Sequence, residues 1–192
     1  MSTENPPLRC FGSGDATYAL YHDTEWGVPV HGEPELLERL VLEGFQSGLS
    51  WLTVLRRREA FREAFAGFDP RTVAAFTDDD VAHLLANPRL IRNERKIRAA
   101  VANAQALRAL HEGGGTLEAM IWSHVPIRHR RPHAWSEVPP TTDEAKELTR
   151  SLKAAGFTWV GPVTIYATMQ ACGVVNDHLV GCPAGDAIDE AG

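Results

Sequence analysis

Cysteine is scarce in this chain. Its 192 residues include three, Cys10, Cys172 and Cys182. An odd, low count argues against a secreted disulfide scaffold and for a reducing compartment, so a cytoplasmic protein is expected. Long apolar runs are missing too, which excludes a membrane-spanning segment and any membrane partner of that kind. The polar start, Met1-Ser-Thr-Glu-Asn-Pro-Pro7, lacks the apolar stretch of a signal peptide. No segment shows the apolar–polar alternation of a half-buried strand. Nor is there an internal repeat, or a linker that would divide the chain. What remains is one domain, long enough to bury a core, of the all-α class and built from many short helices.

An excess of basic charge is also lacking, since the net charge is −6. By itself that speaks against a nucleic-acid partner. The balance is uneven along the chain, however. Glu4, Asp186, Asp189 and Glu190 fall in segments 1–8 and 183–192, which hold no Lys or Arg and are expected to be disordered tails flanking a domain over 9–182. Basic residues are clustered at Arg56-Arg57-Arg58, at Arg89, Arg92, Arg95, Lys96 and Arg98, and at Arg128, Arg130 and Arg131. Local patches of this kind, rather than the total, decide phosphate binding. Each taken singly also fits a solvated helix face.

The helices are legible from their stops and starts. Pro34 opens one, with Leu36, Leu37, Leu40 and Val41 at helical spacing, and Gly44 to Gly48 is expected to break it. Ser50 is an N-cap for the next, which begins at Trp51. Asp69-Pro70 and Thr77 start two more. Leu90 to Leu110 marks a longer helix, ended by Gly113-Gly-Gly115, and Thr116 begins a short one. Val125 to Pro140 is rich in Arg, His and Pro and reads as loop. Thr141-x-x-Glu144 is expected to form a capping box.

Two stretches carry chemistry. Gly156 reads as the left-handed stop of one helix, and Gly161-Pro162 reopens another that runs to Cys172 and stops at Gly173. Two helices joined by a tight turn offer main-chain amides and a helix N-terminus to a phosphate. Beyond them, His178-x-x-x-Cys182 is half a zinc site. Cys10 and His22 would complete a Cys2His2 set joining the two ends of the domain. Spacing alone leaves this set and scattered free thiols equally open. The second notable residue is Glu43. It lies seven residues after Leu36, within about 20° of it around a helix. A carboxylate there either reaches water at the rim or points into a pocket.

Longer motifs resolve these alternatives. Tyr21-His-Asp-Thr-Glu-Trp-Gly-Val-Pro29, Leu42-Glu-Gly-Phe-Gln-Ser-Gly-Leu-Ser-Trp51 and Met169 through Cys182 closely resemble the DNA-3-methyladenine glycosylase I family. Phe68-Asp-Pro70, Ile91 to Ile97 and Gly156 to Gly161 are similar as well, so the resemblance spans Cys10 to Cys182. It implies a helix-hairpin-helix DNA repair glycosylase with structural zinc held by Cys10, His22, His178 and Cys182. It implies excision of 3-methyladenine from alkylated double-stranded DNA by hydrolysis of the N-glycosidic bond, without a lyase step, and free base as product. Base-recognition roles carry over to Tyr21, Trp26, Glu43 and Trp51. Glu43 is the catalytic candidate, although discrimination of the alkylated base is its expected task. Leu49 is a candidate wedge into the stack, with Gly161 and Thr164 on the hairpin as further DNA contacts. A monomer is expected.

The chain departs from the wider pattern in places. Phe157-Thr-Trp-Val-Gly161 lacks the Pro-Gly-x-Gly form of other hairpins. Phe11-Gly12 follows Cys10 where a Gly-Trp-like pair is expected, and the segment to His22 is one residue shorter. Asn176 stands where related glycosylases place an aspartate, and an amide is no general base. Asp177 beside it either compensates or orients His178. The flipped base is cationic and already a good leaving group, so the chemical demand is small, and an aromatic face gains from a cationic ring. A non-enzymatic, zinc-stapled helical module that binds DNA is the rival. It explains zinc, hairpin and basic clusters, but not a glutamate among aromatics.

Overall fold

A computed structural model describes residues 9–191, and segment 1–8 lies outside the described residues. Eleven α-helices and no strand occur among them: α1 Ala16–Thr24, α2 Glu33–Gln46, α3 Trp51–Leu55, α4 Arg58–Ala64, α5 Pro70–Ala74, α6 Asp78–Ala86, α7 Glu94–Glu112, α8 Leu117–Trp122, α9 Asp143–Ala154, α10 Pro162–Ala171 and α11 Pro183–Ala191. Most begin where a short polar side chain takes up a free main-chain amide. Asp15, Ser50, Asp69, Thr77, Asn93, Thr116 and Thr142 each accept from the amide three residues on. Loss of one such cap typically costs about 1 kcal/mol.

Helix α2 is the centre of the domain. Leu36, Leu37, Leu40, Leu42 and Phe45 are all buried along it. It packs against α3, α7, α8 and α10. Each of these large apolar side chains contributes about 1.5–3 kcal/mol on burial, so the helix is fixed in place, and with it any side chain it turns toward a cavity.

Several boundaries differ from the sequence expectation. The break expected over Gly44 to Gly48 does occur, but only after Gln46, with Gly44 itself still helical. A Cβ there would lie 3.5 Å from the Trp159 ring of the hairpin, an ordinary contact distance, so the helix backbone passes close to that ring. The N-cap of α9 is Thr142, not Thr141, because the Thr141 hydroxyl instead donates to the Pro162 carbonyl. Helix α7 starts at Glu94, with Leu90 buried ahead of it in a turn. The expected acidic tail over 183–192 is overturned for 183–191, which form α11. Its acidic residues are not loose charge. Arg131 reaches Asp186 and Asp189, and the Asn176 amide donates to the Gly185 carbonyl and to Asp189.

Candidate active site and metal centre

Residues from four parts of the chain line one cavity of about 230 Å³: Tyr21 and Trp26 from α1 and the turn after it, Glu43 and Gln46 from α2, Trp51 from α3, and Ala167 and Gln170 from α10. Glu43 and Gln46 are three residues apart on α2, as are Ala167 and Gln170 on α10, so each pair shares one helix face. The loop after α8 contributes Trp135, and Phe11 and Tyr18 complete the lining. The Tyr21 and Trp51 ring centroids are 5.3 Å apart.

Glu43 points into this cavity. Only 6% of it is exposed, and no protein group hydrogen-bonds its carboxyl among the described residues. Burial pushes its pKa up to about 8, and the Arg39 guanidinium only partly opposes that rise. Burial thus favours the protonated form of the side chain. Arg39 itself is committed to Glu25, 3.2 Å away, and sits 6.0 Å from the Tyr21 ring centroid. The indole N–H of Trp51 is buried with no acceptor. The cavity thus offers aromatic faces, one carboxyl, and the hydroxyl and amide groups of Tyr18, Tyr21, Gln46 and Gln170.

Next to it, Cys10, His22, His178 and Cys182 converge. Their ligand atoms lie within 4.8 Å of one another. Cys182 Sγ is 3.4 Å from His178 Nδ1 and 3.6 Å from His22 Nε2, and Cys10 Sγ is 3.7 Å from His178 Nδ1. Bonds of about 2.0–2.3 Å to one tetrahedral zinc give ligand separations of roughly 3.3–3.8 Å, so the donor set fits that ion. The outer ring nitrogens are held as metal-ligating imidazoles usually are. His22 Nδ1 donates to Asp23 across 2.7 Å, and His178 Nε2 donates to the Trp26 carbonyl across 2.9 Å. The Leu179 amide donates to Cys10 Sγ. Cys172 is elsewhere in the core, where burial raises its thiol pKa to about 12.

The hairpin between α9 and α10 forms as the sequence suggests. Gly156 has φ +93°, and Trp159 adopts φ +57° without being glycine. Asn103 of α7 accepts from the Thr158 amide at 2.7 Å and holds the turn. Gly161 is the N-cap of α10 with no side-chain cap, and a Cβ added there would meet nothing. Thr164 is half-buried in the first turn of α10. Leu49 lies in the turn between α2 and α3 and is 41% exposed, so it is not core.

Comparison with known proteins now decides the family. The methyladenine glycosylase family model matches residues 11–185. The chain belongs to that family. It is 43% identical over 172 residues to DNA-3-methyladenine glycosylase 1 of Escherichia coli strain K12, covering 88% of this chain and 92% of the relative. It is 44% identical over 179 residues to DNA-3-methyladenine glycosylase of Haemophilus influenzae, covering 91% and 96%. A crystal structure of a 3-methyladenine DNA glycosylase I superposes with a TM-score of 0.88 at 41% identity, over 92% of this chain and 98% of that one. The Staphylococcus aureus enzyme, whose structure addresses 3-methyladenine recognition, gives 0.86 at 34% identity, over 92% and 95%.

For this methyladenine glycosylase family member, the residues after α10 resolve differently from the sequence expectation. Asp177 does not orient His178, whose ring is held by Trp26. The Asp177 carboxylate instead accepts from Tyr166 and Gln170, each at 2.7 Å, with His129 3.2 Å away. Asn176 accepts from the His178 amide and ties the loop that carries His178 and Cys182 to α11. Sequence reasoning missed Phe11, Tyr18, Gln46, Trp135, Ala167 and Gln170 as lining residues. Gln46 had a signal, three residues after Glu43. Trp135 sits in a stretch without periodicity and had none.

Proposed function

We propose that this protein excises 3-methyladenine from alkylated double-stranded DNA by hydrolysing the N-glycosidic bond, releasing the free base. The observation that carries the reading is the Glu43 carboxyl, desolvated and unpartnered among aromatic rings. A protein would not retain such a group for stability, because burying it is unfavourable unless a ligand offsets the penalty. Trp26 and Trp51 stack on the flipped base, and Tyr21 and Glu43 meet its polar edge. A cationic base favours ionised Glu43, so binding draws the proton off. This distinguishes the alkylated base from neutral adenine by charge and by acceptance from the exocyclic amine.

Activation of water asks little of the protein, since the damaged base leaves readily. No lysine lines the cavity, and Lys96 is committed to the Phe45 and Ser47 carbonyls. An amine for a lyase step is therefore absent from the described lining. Leu49 fills the gap left by the flipped nucleotide, and the amides after Gly161, with Thr164, hold a backbone phosphate. Zinc, bound by Cys10, His22, His178 and Cys182, supplies a structural crosslink between chain ends and leaves no open position for chemistry. The enzyme acts as a monomer.

Release of free base from methylated duplex DNA tests the reading. Liberated 3-methyladenine is expected. DNA binding without any base release would identify a non-enzymatic binding module instead.

A further inference from the structure

Gln170 lines the base cavity from α10. Its backbone is pinned, since its carbonyl accepts from the Gly27 amide at 3.1 Å. Its side-chain Nε2 donates to Asp177 across 2.7 Å. Side-chain amides can be flipped by half a turn, and the choice is set by their partners. Here the partner dictates it. The Asp177 carboxyl is buried, receives the Tyr166 hydroxyl on the same oxygen and faces His129 on the other. The same Asp177 oxygen lies 2.7 Å from both the Tyr166 hydroxyl and Gln170 Nε2, so it accepts from both. The Gln170 amide must therefore turn its N–H toward Asp177. Asp177 and His129 line a different cavity, of about 390 Å³, beyond α10. Gln170 Oε1 has no hydrogen-bond partner among the described residues and is not one of the buried unpartnered atoms, which leaves it open to the cavity that Gln170 lines.

We propose that Asp177 is a positioning residue that presents Gln170 Oε1 to the base cavity, where it accepts a hydrogen bond from the exocyclic amine of the bound adenine derivative. This rests on the function proposed above and assigns a second specificity group beside Glu43. Donation to the Asp177 oxygen also polarises the amide and strengthens its own oxygen as an acceptor. The arrangement favours an amino-purine over one that carries a carbonyl or hydrogen at the same place. It also explains why the carboxylate next to the metal loop is turned from the metal ligands toward α10.

Binding of two free bases, followed by tryptophan fluorescence, tests the inference: 3-methyladenine and 3-methylpurine, which lacks the amine. Gln170→Met keeps the length of the side chain and removes the acceptor. It is expected to weaken 3-methyladenine binding about three- to tenfold, the range for one neutral hydrogen bond, and to leave 3-methylpurine unchanged. Asp177→Ala is expected to reproduce the selective loss, and the double variant to lose no more than either single one. Equal losses for both bases, or unchanged 3-methyladenine binding in folded Gln170→Met, overturn the proposal. So does slowed excision with unchanged base affinity, which would place a water rather than the amine on Oε1. Failure of the wild-type protein to bind 3-methyladenine or to release it from DNA overturns the function proposed above instead.

Discussion

His178 Nε2 donates to the carbonyl oxygen of Trp26 across 2.9 Å, so one hydrogen bond joins the candidate metal cluster to a wall of the aromatic cavity. The two rings also meet edge to face, with centroids 4.6 Å apart. On the other side, the Trp135 indole donates to the carbonyl of Cys10 at 2.9 Å. Two aromatic walls of the cavity therefore hang on residues of the candidate metal cluster. Cys182→Ala is expected to lower metal content and the melting temperature, because structural metal binding is folding free energy. It is also expected to weaken 3-methyladenine binding at temperatures where the variant is still folded. Metal analysis, calorimetry and base titration check this, and full wild-type stability without bound metal would contradict it.

Glu43→Gln should separate stability from function. The folded protein raises the pKa of Glu43 from 4.5 to about 8. The protonated form is thus favoured by folding, and its contribution is fully present below pH 4.5 and lost as pH rises through about 8. The amide introduced by Glu43→Gln does not titrate and carries no such dependence. The variant is expected to match the wild type near pH 4.5 and to exceed it by a few kcal/mol at pH 8 and above, as read by denaturant unfolding across pH. A pH-independent difference would show that Glu43 does not titrate as described.

The same substitution is expected to slow excision roughly ten- to a hundredfold, the value of a charge-assisted hydrogen bond, while leaving affinity for undamaged duplex unchanged. For the wild type, kcat/KM should rise between pH 6 and 8 as Glu43 ionises, since that ratio reports groups of the free enzyme. Glu43→Gln should flatten this rise. Unchanged base affinity with collapsed excision would make Glu43 a catalytic base and remove its role in discrimination.

Gly161→Val probes the hairpin. A Cβ at Gly161 meets nothing within 4 Å among the described residues, and the backbone there has φ −115°, which valine adopts. The fold should therefore tolerate the change. Binding to damaged and undamaged DNA should weaken alike, because phosphate contacts carry no base information. A loss confined to damaged DNA, measured by anisotropy, would assign the hairpin to the base cavity instead.

Asn176→Ala is expected to lower the melting temperature, since it removes the donor to the Gly185 carbonyl and to Asp189 and the acceptor of the His178 amide. Single-turnover excision by the folded variant should stay within about tenfold, roughly 1.4 kcal/mol of barrier. A drop of several thousandfold with the fold intact would restore Asn176 to the chemistry.

Local signals in the sequence determined the helices. Ser50, Asp69, Thr77 and Thr116 cap where their side chains and the following apolar spacing say they should. Gly156 and Gly161-Pro162 frame the hairpin because left-handed backbone and a proline at the first helical position are local requirements. The motifs also named Tyr21, Trp26, Glu43 and Trp51, which the fold brings to one cavity. Tertiary structure decided whatever depends on a distant partner. Periodicity left Glu43 at the edge of a helix face, and only packing of α10 and the aromatic rings around it removed the water. The break expected over Gly44 to Gly48 falls after Gln46, so the glycine at its start stays helical. The acidic residues of 183–191 read as a tail until Arg131, more than fifty residues earlier, is seen to gather two of them. Asp177 adjoins His178 in sequence, yet its charge is taken up by Tyr166, Gln170 and His129, because the chain turns there and sends neighbouring side chains to opposite sides.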